Sequence, residues 1–221
     1  MADRPIIFSA PMIRALLDGR KTQTRRIIKP SPEFCGGGRS RDPQNWNDPD
    51  AWGWENYDEG CWDLLSEGYT GRPFYAPGDR LWCKEGCVVG FDIDDNDRPI
   101  GDRKVWYRAT DTGLRWYDPD SESMLDNPPW KPSIHMPRWA SRLTLLVTDV
   151  RVQRLQEISR GDAMEEGCPF ANMADGPNPR DWYRGIWNSL HGPGAWDANP
   201  WVAALTFTVH RQNIDQMEPT K

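Results

Sequence analysis

Apolar periodicity in this sequence is confined to a few short segments, and two long stretches without periodicity separate them. The stretches cover about residues 31–77 and 92–136, and both are rich in Asp and aromatic residues. Loops of this length are uncommon in a compact domain unless they are functional or disordered. We therefore predict one domain over residues 1–221 with a small regular core and two insertions, because two smaller domains would each have a thin core.

The periodic segments also predict the order of the regular elements. Helical spacing, a Ser9 N-cap and a terminal Gly19 predict a helix over "SAPMIRALLDG". The clearest strand is "SRLTLLVTDVRVQRL", in which one slip of the alternation predicts a β-bulge near Thr148 or Asp149. The other strands are "RPIIF", "TQTRRII", "PGDRLWCKEGCVVG" and "WVAALTFTVHR". The other helices are "SRGDAMEEG", with a capping box from Ser159 to Asp162, and "DWYRGIWNSLHG", with an apolar stripe of Trp182, Tyr183, Ile186, Trp187 and Leu190. This order predicts an α+β fold built on a small mixed β-barrel with flanking helices.

Charge is unevenly distributed along the chain, although the whole protein is acidic with a net charge of −6. Residues 4–30 carry seven Lys or Arg against one acid, whereas residues 42–70 carry eight acids and no Lys or Arg. The overall acidity argues against non-specific coating of duplex nucleic acid, which needs many phosphate contacts. A confined basic pocket fits one nucleotide or a short single strand, and mutual neutralisation of the two segments is the alternative.

Cysteine and histidine usage argues against a disulfide framework or a metal site. The five cysteines are an odd number without CxxC pairs, and there are only three histidines, so we predict free thiols, no metal and no cofactor. No run of 18 apolar residues is present, which predicts no membrane span or membrane partner. The first residues, "MADRPIIFSAPM", lack a signal region, so we expect a cytoplasmic protein.

Three segments resemble the ASCH family, a small β-barrel relative of the PUA RNA-binding fold. "LLDGRKTQTRR" is similar to the GxK signature that opens the family, "PGDRLW" to its next strand and "AWDANPWVAALTF" to its closing strand. The similarity covers residues 5–30, 77–90 and 138–210, and the two insertions resemble those of larger, tryptophan-rich members from phage and prophage genomes. The resemblance implies a PUA-like barrel over the regular core.

The resemblance also implies an enzymatic activity. One bacterial branch of the family is an amidohydrolase that removes the acetyl group from N(4)-acetylcytidine with a lysine, a threonine and a glutamate. The lysine and threonine match Lys21 and Thr24 of "GRKTQT", and the glutamate matches Glu166 in "SRGDAMEEG", with Glu165 as the adjacent alternative. The chain is about twice the length of that compact enzyme, which affects the expected size of the substrate.

Amide hydrolysis by a lysine requires that its ammonium group lose a proton. Burial and neighbouring cations such as Arg25 and Arg26 lower the pKa of a lysine, so Lys21 is the group expected to deprotonate. Glu166 would relay protons, and Thr24 would orient the lysine or donate to the oxyanion. Residues three apart on a regular strand face opposite sides, so Lys21 and Thr24 converge only if Lys21 lies in the turn after the helix. The non-catalytic alternative is that Lys21 contacts phosphates.

Other polar residues are candidates for substrate binding. Arg25 and Arg26 follow the signature lysine, and His135 and Arg138 lie beside tryptophans that are suited to phosphate contacts and base stacking. The alternative for the second pair is a structural crossing held by proline. Glu85 would read a base edge or form an ordinary surface ion pair.

The sequence therefore leaves several functions open. The first hypothesis is a metal-independent amidohydrolase that acts on a modified cytidine, either free or in single-stranded nucleic acid. The alternatives are a non-catalytic RNA- or DNA-binding module, a ribonuclease, and a phage accessory factor whose acidic loops bind a host protein. The oligomeric state is not indicated.

Overall fold

The computed structural model describes ten ranges of the chain: residues 2–28, 33–34, 52–56, 61–64, 75–94, 98–114, 116–118, 123–125, 127–170 and 176–218. These residues form two compact units. The described residues within 20–79 and 147–208 belong to the first unit, and those within 2–19, 80–146 and 209–221 belong to the second. The fold is α+β with a mixed sheet and few helices, which confirms the predicted class.

Twelve strands and three α-helices make up the regular structure of the described ranges. The strands are β1 (Asp3–Ile7), β2 (Gln23–Ile27), β3 (Glu33–Phe34), β4 (Trp52–Asn56), β5 (Cys61–Leu64), β6 (Arg80–Lys84), β7 (Cys87–Ile93), β8 (Pro99–Tyr107), β9 (Trp116–Asp118), β10 (Ser123–Leu125), β11 (Thr144–Arg154) and β12 (Trp201–His210). The helices are α1 (Ala10–Leu17), α2 (Arg160–Glu165) and α3 (Pro179–His191).

In the second unit, β6 pairs in parallel with β1 and antiparallel with the beginning of β11. Leu81 lies opposite Leu145 in this ladder, and both side chains are fully buried. Helix α1 begins after Ser9, has Pro11 in its first turn and buries Ile13 and Leu16. Proline fits this position because the first turn has no intrahelical acceptor for its missing N–H. The predicted strand and helix at the amino terminus are confirmed.

In the first unit, β12 lies between β11 and β2, and Leu205 pairs antiparallel with Thr24. Helix α3 packs an aromatic stripe into the core of this unit, where Tyr183 and Trp187 are buried. Leu190, which the helical spacing also assigned to the stripe, is instead exposed. Along the described residues no strand pairing closes the sheet into a barrel.

Both predicted insertions contain regular structure. Residues 31–77 include the three short strands β3, β4 and β5, which pair antiparallel with each other. Residues 92–136 include β8, which forms a hairpin with β7, and the short β9–β10 pair. The expectation of an irregular second insertion was therefore wrong for this hairpin. The missed signal was the β-branched and aromatic run "VWY", in which Val105 and Tyr107 pack against buried residues of the second unit.

Two further expectations fall on described residues. Cys83, Cys87 and Cys168 form no disulfide, as predicted, and all three are buried. The prediction for Cys35 and for the side chain of Cys61 lies outside the described part of the structure. No helix in the described part of the chain combines the length and the apolarity that a membrane crossing requires.

Candidate functional site

Lys21 lies in the turn between α1 and β2. Gly19 has a φ of +73°, a conformation that side chains with a Cβ rarely adopt, and it changes the chain direction before Arg20. Lys21 then forms an isolated antiparallel bridge with Glu166, and the Thr22 amide donates to the Glu165 carbonyl at 2.8 Å. The backbone thus fixes Lys21 next to the end of α2 before any side-chain contact is counted.

The Lys21 ammonium group is buried and surrounded by oxygen acceptors. Its Nζ donates to Glu166 Oε2 at 2.6 Å, to the Glu166 carbonyl at 3.0 Å and to the Gln23 carbonyl at 2.7 Å. The exposed fractions of the Lys21 and Glu166 side chains are 1% and 3%. Each of the three protons of an ammonium group therefore has an acceptor within hydrogen-bond distance.

Glu166 is positioned by the end of helix α2. Ser159 and Asp162 form the predicted capping box at the start of this helix, and Gly167 follows Glu166 with a φ of +101°. The helix is only six residues long, so this cap contributes a large share of its order. A stable α2 keeps the Glu166 carboxylate on the Lys21 side of the unit.

Arg25 completes a buried polar cluster with Lys21, Gln23 and Glu166. The Arg25 Nη1 donates to Glu166 Oε1 at 3.0 Å and to Gln23 Oε1 at 2.6 Å. Gln23 in turn donates to Glu165 Oε2 at 3.1 Å. The structure thus brings Glu166 into contact with both Lys21 and Arg25, whereas the alternative glutamate, Glu165, is exposed.

Asp162 links this cluster to β11. Its Oδ1 accepts from Arg151 Nη2 at 2.7 Å, and its Oδ2 accepts from the Ser159 amide and hydroxyl at 3.0 and 2.9 Å. Arg25 Nη2 also lies 3.3 Å from Asp162 Oδ2. Burial alone would raise the pKa of the Asp162 carboxyl, but the hydrogen bonds from Arg151 and Ser159 hold it well below its ordinary range.

The electrostatics of the cluster favour loss of a proton from Lys21. Burial lowers the pKa of the Lys21 ammonium, the Glu166 carboxylate opposes this shift, and the charges of Arg26 and Arg25 add to it. The direction of the pKa shift agrees with the expectation from burial and neighbouring cations, and burial is the larger of these two causes. Burial and the negative charge of Glu166 also raise the pKa of the Tyr183 hydroxyl well above its usual value.

Thr24 and Arg26 lie on the other face of β2. Side chains alternate along a strand, so Gln23 and Arg25 share one face, and Thr24 and Arg26 share the other. Thr24 is buried and Arg26 is partly buried. The proposed roles of Thr24 in catalysis and of Arg26 in substrate binding stay predictions.

The remaining predicted binding residues belong to the second unit. Glu85 follows β6 and is 1% exposed, and its Oε1 and Oε2 accept from Nε and Nη2 of Arg142, both at 2.9 Å. The Arg142 guanidinium also lies 3.9 Å from the centre of the Tyr107 ring. Glu85 is thus a buried carboxylate that accepts two hydrogen bonds from Arg142. The alternative of an ordinary surface ion pair is therefore wrong. Its role as a reader of a base edge stays a prediction.

Arg138 and His135 lie in two short 3-10 turns, Arg138–Ala140 and Ser133–His135. Arg138 Nη2 contacts Asp3 Oδ2 at 2.6 Å and Asp215 Oδ1 at 2.7 Å, so two carboxylates balance its charge. His135 is exposed, and the nearby Trp139 side chain is 55% exposed. These contacts balance the charge of Arg138, and the binding roles of Arg138 and His135 stay predictions.

Sequence reasoning missed Gln23, a member of the cluster, and the electrostatic contributions of Asp162 and Tyr183 beside it. Gln23 occupies the strand position between Lys21 and Arg25 on the same face, and a count by twos from the lysine would have found it. Asp162 was recognised only as a helix cap, and Tyr183 only as a core residue. A single sequence gives no signal that a capping carboxylate also contacts an arginine far along the chain.

Two negative findings complete the description of the site. Among the described residues, no group of three or more His, Cys, Asp or Glu side chains is placed to hold a metal ion. Comparison of the chain with protein-family models, with curated proteins and with solved structures gives no match.

Proposed function

We propose that this protein binds a modified pyrimidine nucleoside, free or within a single strand, and hydrolyses an exocyclic N-acyl group without a metal. The observation that carries the proposal is the buried pair in which Lys21 Nζ lies 2.6 Å from Glu166 Oε2. Desolvated lysines are the ones that act as bases or nucleophiles at neutral pH, and a carboxylate in contact can accept their proton.

In the proposed reaction, Lys21 and Glu166 share one proton and pass it between water and the leaving amine. The neutral Lys21 amine takes a proton from water, and the resulting hydroxide adds to the acyl carbon. The bond between the acyl carbon and the exocyclic nitrogen then breaks, and that nitrogen receives a proton that Glu166 relays. The products are the carboxylic acid and the free amine, so one water is consumed.

The resemblance of "GRKTQTRR" to the ASCH signature supports this assignment independently of the geometry. It implies a PUA-like barrel over the regular core and a pyrimidine nucleoside as the substrate class. It also includes Thr24 in the catalytic set. A role of Thr24 at the oxyanion would require its hydroxyl to reach the substrate from the opposite face of β2.

A non-catalytic nucleic-acid-binding module is the second candidate, and one observation favours it. The Lys21 ammonium has three acceptors within 3.0 Å, which is the full capacity of its three protons. A lysine saturated in this way stabilises the fold in its charged form. Binding would then rely on exposed groups such as His135 and Trp139.

The deciding experiment is incubation of the purified protein with N(4)-acetylcytidine and measurement of released cytidine and acetate. Activity that is lost in Lys21→Met and retained in Lys131→Met, which removes an exposed lysine, supports the proposal. Absence of cytidine under conditions where a known deacylase works would refute it. Salt-dependent binding of short single strands without turnover would then identify the module, and shortened RNA would identify a ribonuclease.

A further inference from the structure

The Arg25 guanidinium has a buried edge whose donors have no hydrogen-bond acceptor among the described residues. The side chain is fully buried, and Nε and Nη2 are the two nitrogens without a hydrogen bond. These two nitrogens form the side-on edge of the guanidinium, from which two N–H bonds point in parallel. Buried donors without acceptors are rare in native proteins, and each one calls for a specific explanation.

The same edge is filled at two other arginines of this protein. Arg80 donates from Nε and Nη2 to the two carboxylate oxygens of Asp3 at 2.7 and 2.8 Å. Arg142 donates from Nε and Nη2 to Glu85, with both distances at 2.9 Å. Arg25 is more buried than either of these arginines, so the loss of solvation is larger for its unbonded edge.

Asp162 does not satisfy this edge. Its Oδ2 lies 3.3 Å from Arg25 Nη2, but the contact is an ion pair without hydrogen-bond alignment. Both Asp162 oxygens already accept hydrogen bonds from Arg151 and Ser159. The carboxylate therefore balances the charge of Arg25 and leaves its side-on donors available.

We propose that the Nε–Nη2 edge of Arg25 binds a planar ligand that offers two adjacent acceptor atoms. On the proposed function, on which this assignment rests, those atoms are N3 and O2 of the cytosine ring. Arg25 Nη1 meanwhile stays bonded to Glu166, so the arginine would hold the base next to the Lys21–Glu166 pair. Uracil carries a proton on N3, which would meet a donor, so the edge would select cytosine over uracil.

The edge is sealed from solvent, so a ring enters only when neighbouring side chains move. A carboxylate also offers two adjacent acceptor atoms, in a smaller volume, so acetate is the second candidate ligand for this edge. The ligands themselves distinguish the two sources, because only the base carries a ring nitrogen that can be replaced.

The test is calorimetric titration of the full chain with cytidine, 3-deazacytidine, uridine and acetate. In 3-deazacytidine a C–H group replaces N3, so we expect its binding to be about tenfold weaker than that of cytidine, as for the loss of one hydrogen bond. Uridine should bind at least as weakly. This comparison uses the unaltered protein and does not depend on the folding of a variant.

Variants then assign the effect to Arg25. Arg25→Lys should remove the discrimination between cytidine and 3-deazacytidine, whereas Arg80→Lys, at a filled edge, should keep it. Equal binding of the two nucleosides, or binding of acetate alone, would overturn the base assignment, and no binding of any ligand would make Arg25 purely structural. Binding is measured without turnover, so discrimination that persists in an inactive protein supports this inference even if hydrolysis fails.

Discussion

Lys21 Nζ and Glu166 Oε2 are 2.6 Å apart, although 145 residues separate the two side chains in the sequence. Both groups are buried, so water screens their attraction poorly. Burial also penalises each charge, and removal of one partner leaves the other charge uncompensated. The pair therefore makes the stability of the first unit sensitive to substitution at either residue.

The first prediction concerns this stability. Lys21→Met should reduce the free energy of unfolding by about 3 kcal/mol, because the Glu166 carboxylate loses its closest cation. Adding Glu166→Gln should cost less than the two single changes together, since the uncompensated charge is removed. Urea unfolding of the single and double variants measures this coupling. Lys131→Met, at an exposed lysine, is the control, and strictly additive losses would contradict the prediction.

The second prediction concerns the pH dependence of hydrolysis. Burial places the pKa of Lys21 below its ordinary value of 10.5, and the reactive amine is the deprotonated form. We expect kcat/KM to rise with pH through the pKa of Lys21 and to level off above it. Lys21→Arg should bind nucleoside but show no turnover, because a guanidinium stays charged. A profile that is flat between about pH 6 and pH 10 would exclude Lys21 as the base.

The third prediction concerns acid unfolding. The hydrogen bonds from Arg151 and Ser159 lower the pKa of Asp162 in the folded protein below its ordinary value of 3.8. The folded state therefore binds the proton more weakly, so Asp162 stabilises the protein above about pH 4 and this contribution is lost as the pH falls. Asp162→Asn should reduce the unfolding free energy by about 2 kcal/mol at neutral pH and by less in acid.

Thermal unfolding at a series of pH values measures the effect of Asp162→Asn. Asp197→Asn is the matched control, because the Asp197 side chain is exposed and its Oδ1 lies 3.6 Å from Arg184 Nη2. A surface pair of this kind contributes little to stability. A deficit for Asp162→Asn that stays constant from neutral to acidic pH would show that its carboxylate charge is not involved.

The fourth prediction concerns Glu85 and Arg142. Burial raises the pKa of Glu85 above its ordinary value of 4.5, and the hydrogen bond from Arg142 opposes the shift. Arg142→Met should therefore raise the pKa of Glu85 further and destabilise the protein by about 3 kcal/mol at neutral pH. The folded state of the variant binds the proton more tightly, so its stability should recover as the pH falls toward 4.5.

Chemical unfolding at neutral and mildly acidic pH checks the behaviour of Arg142→Met. The control is Arg138→Met, whose partners Asp3 and Asp215 are more exposed than Glu85. It should show a smaller loss at neutral pH. Failure of Arg142→Met to recover in acid would mean that stacking on Tyr107, and not the ion pair, dominates its contribution.

The fifth prediction contrasts two glycines. A Cβ at Gly90 in β7 would lie 2.3 Å from the Trp116 ring, whereas a Cβ at Gly185 in α3 would meet nothing within 4 Å. Gly90→Ala should therefore destabilise the hairpin by about 1–3 kcal/mol through overlap. Gly185→Ala should stabilise the protein by about 0.5–1 kcal/mol, because alanine is the better helix former. Thermal unfolding measures both variants, and shifts of the same sign would contradict the contrast.

Local patterns were sufficient to predict the elements that carry the site. The Ser9 start of α1, the capping box of α2 and the turn that holds Lys21 all depend on neighbouring residues, so a single sequence reports them. The prediction that Lys21 and Glu166 act together came from the resemblance, because no local rule links positions so far apart in the sequence. No local pattern indicated that Glu85 is buried, since charged residues are mostly exposed and its partner lies on a distant segment.

The wrong expectations have equally local causes. Leu190 fits the apolar stripe of α3 by spacing, but it lies near the carboxyl end of that helix, where little of the unit covers it. The β7–β8 hairpin was not predicted because turn residues and acids interrupt the hydrophobic pattern in the first half of β8. Alternation of hydrophobic residues identifies strands only where one face is buried along its whole length.

The long sequence separation of Lys21 and Glu166 has a consequence during biosynthesis. Ribosomes add about 5–20 residues per second, so roughly seven to thirty seconds pass between the emergence of the lysine and that of its carboxylate. Throughout this interval the nascent chain carries the cationic segment without its counter-charge. A truncated transcript that stops before codon 166 would thus yield a polypeptide that lacks the pair, whatever else of it folds.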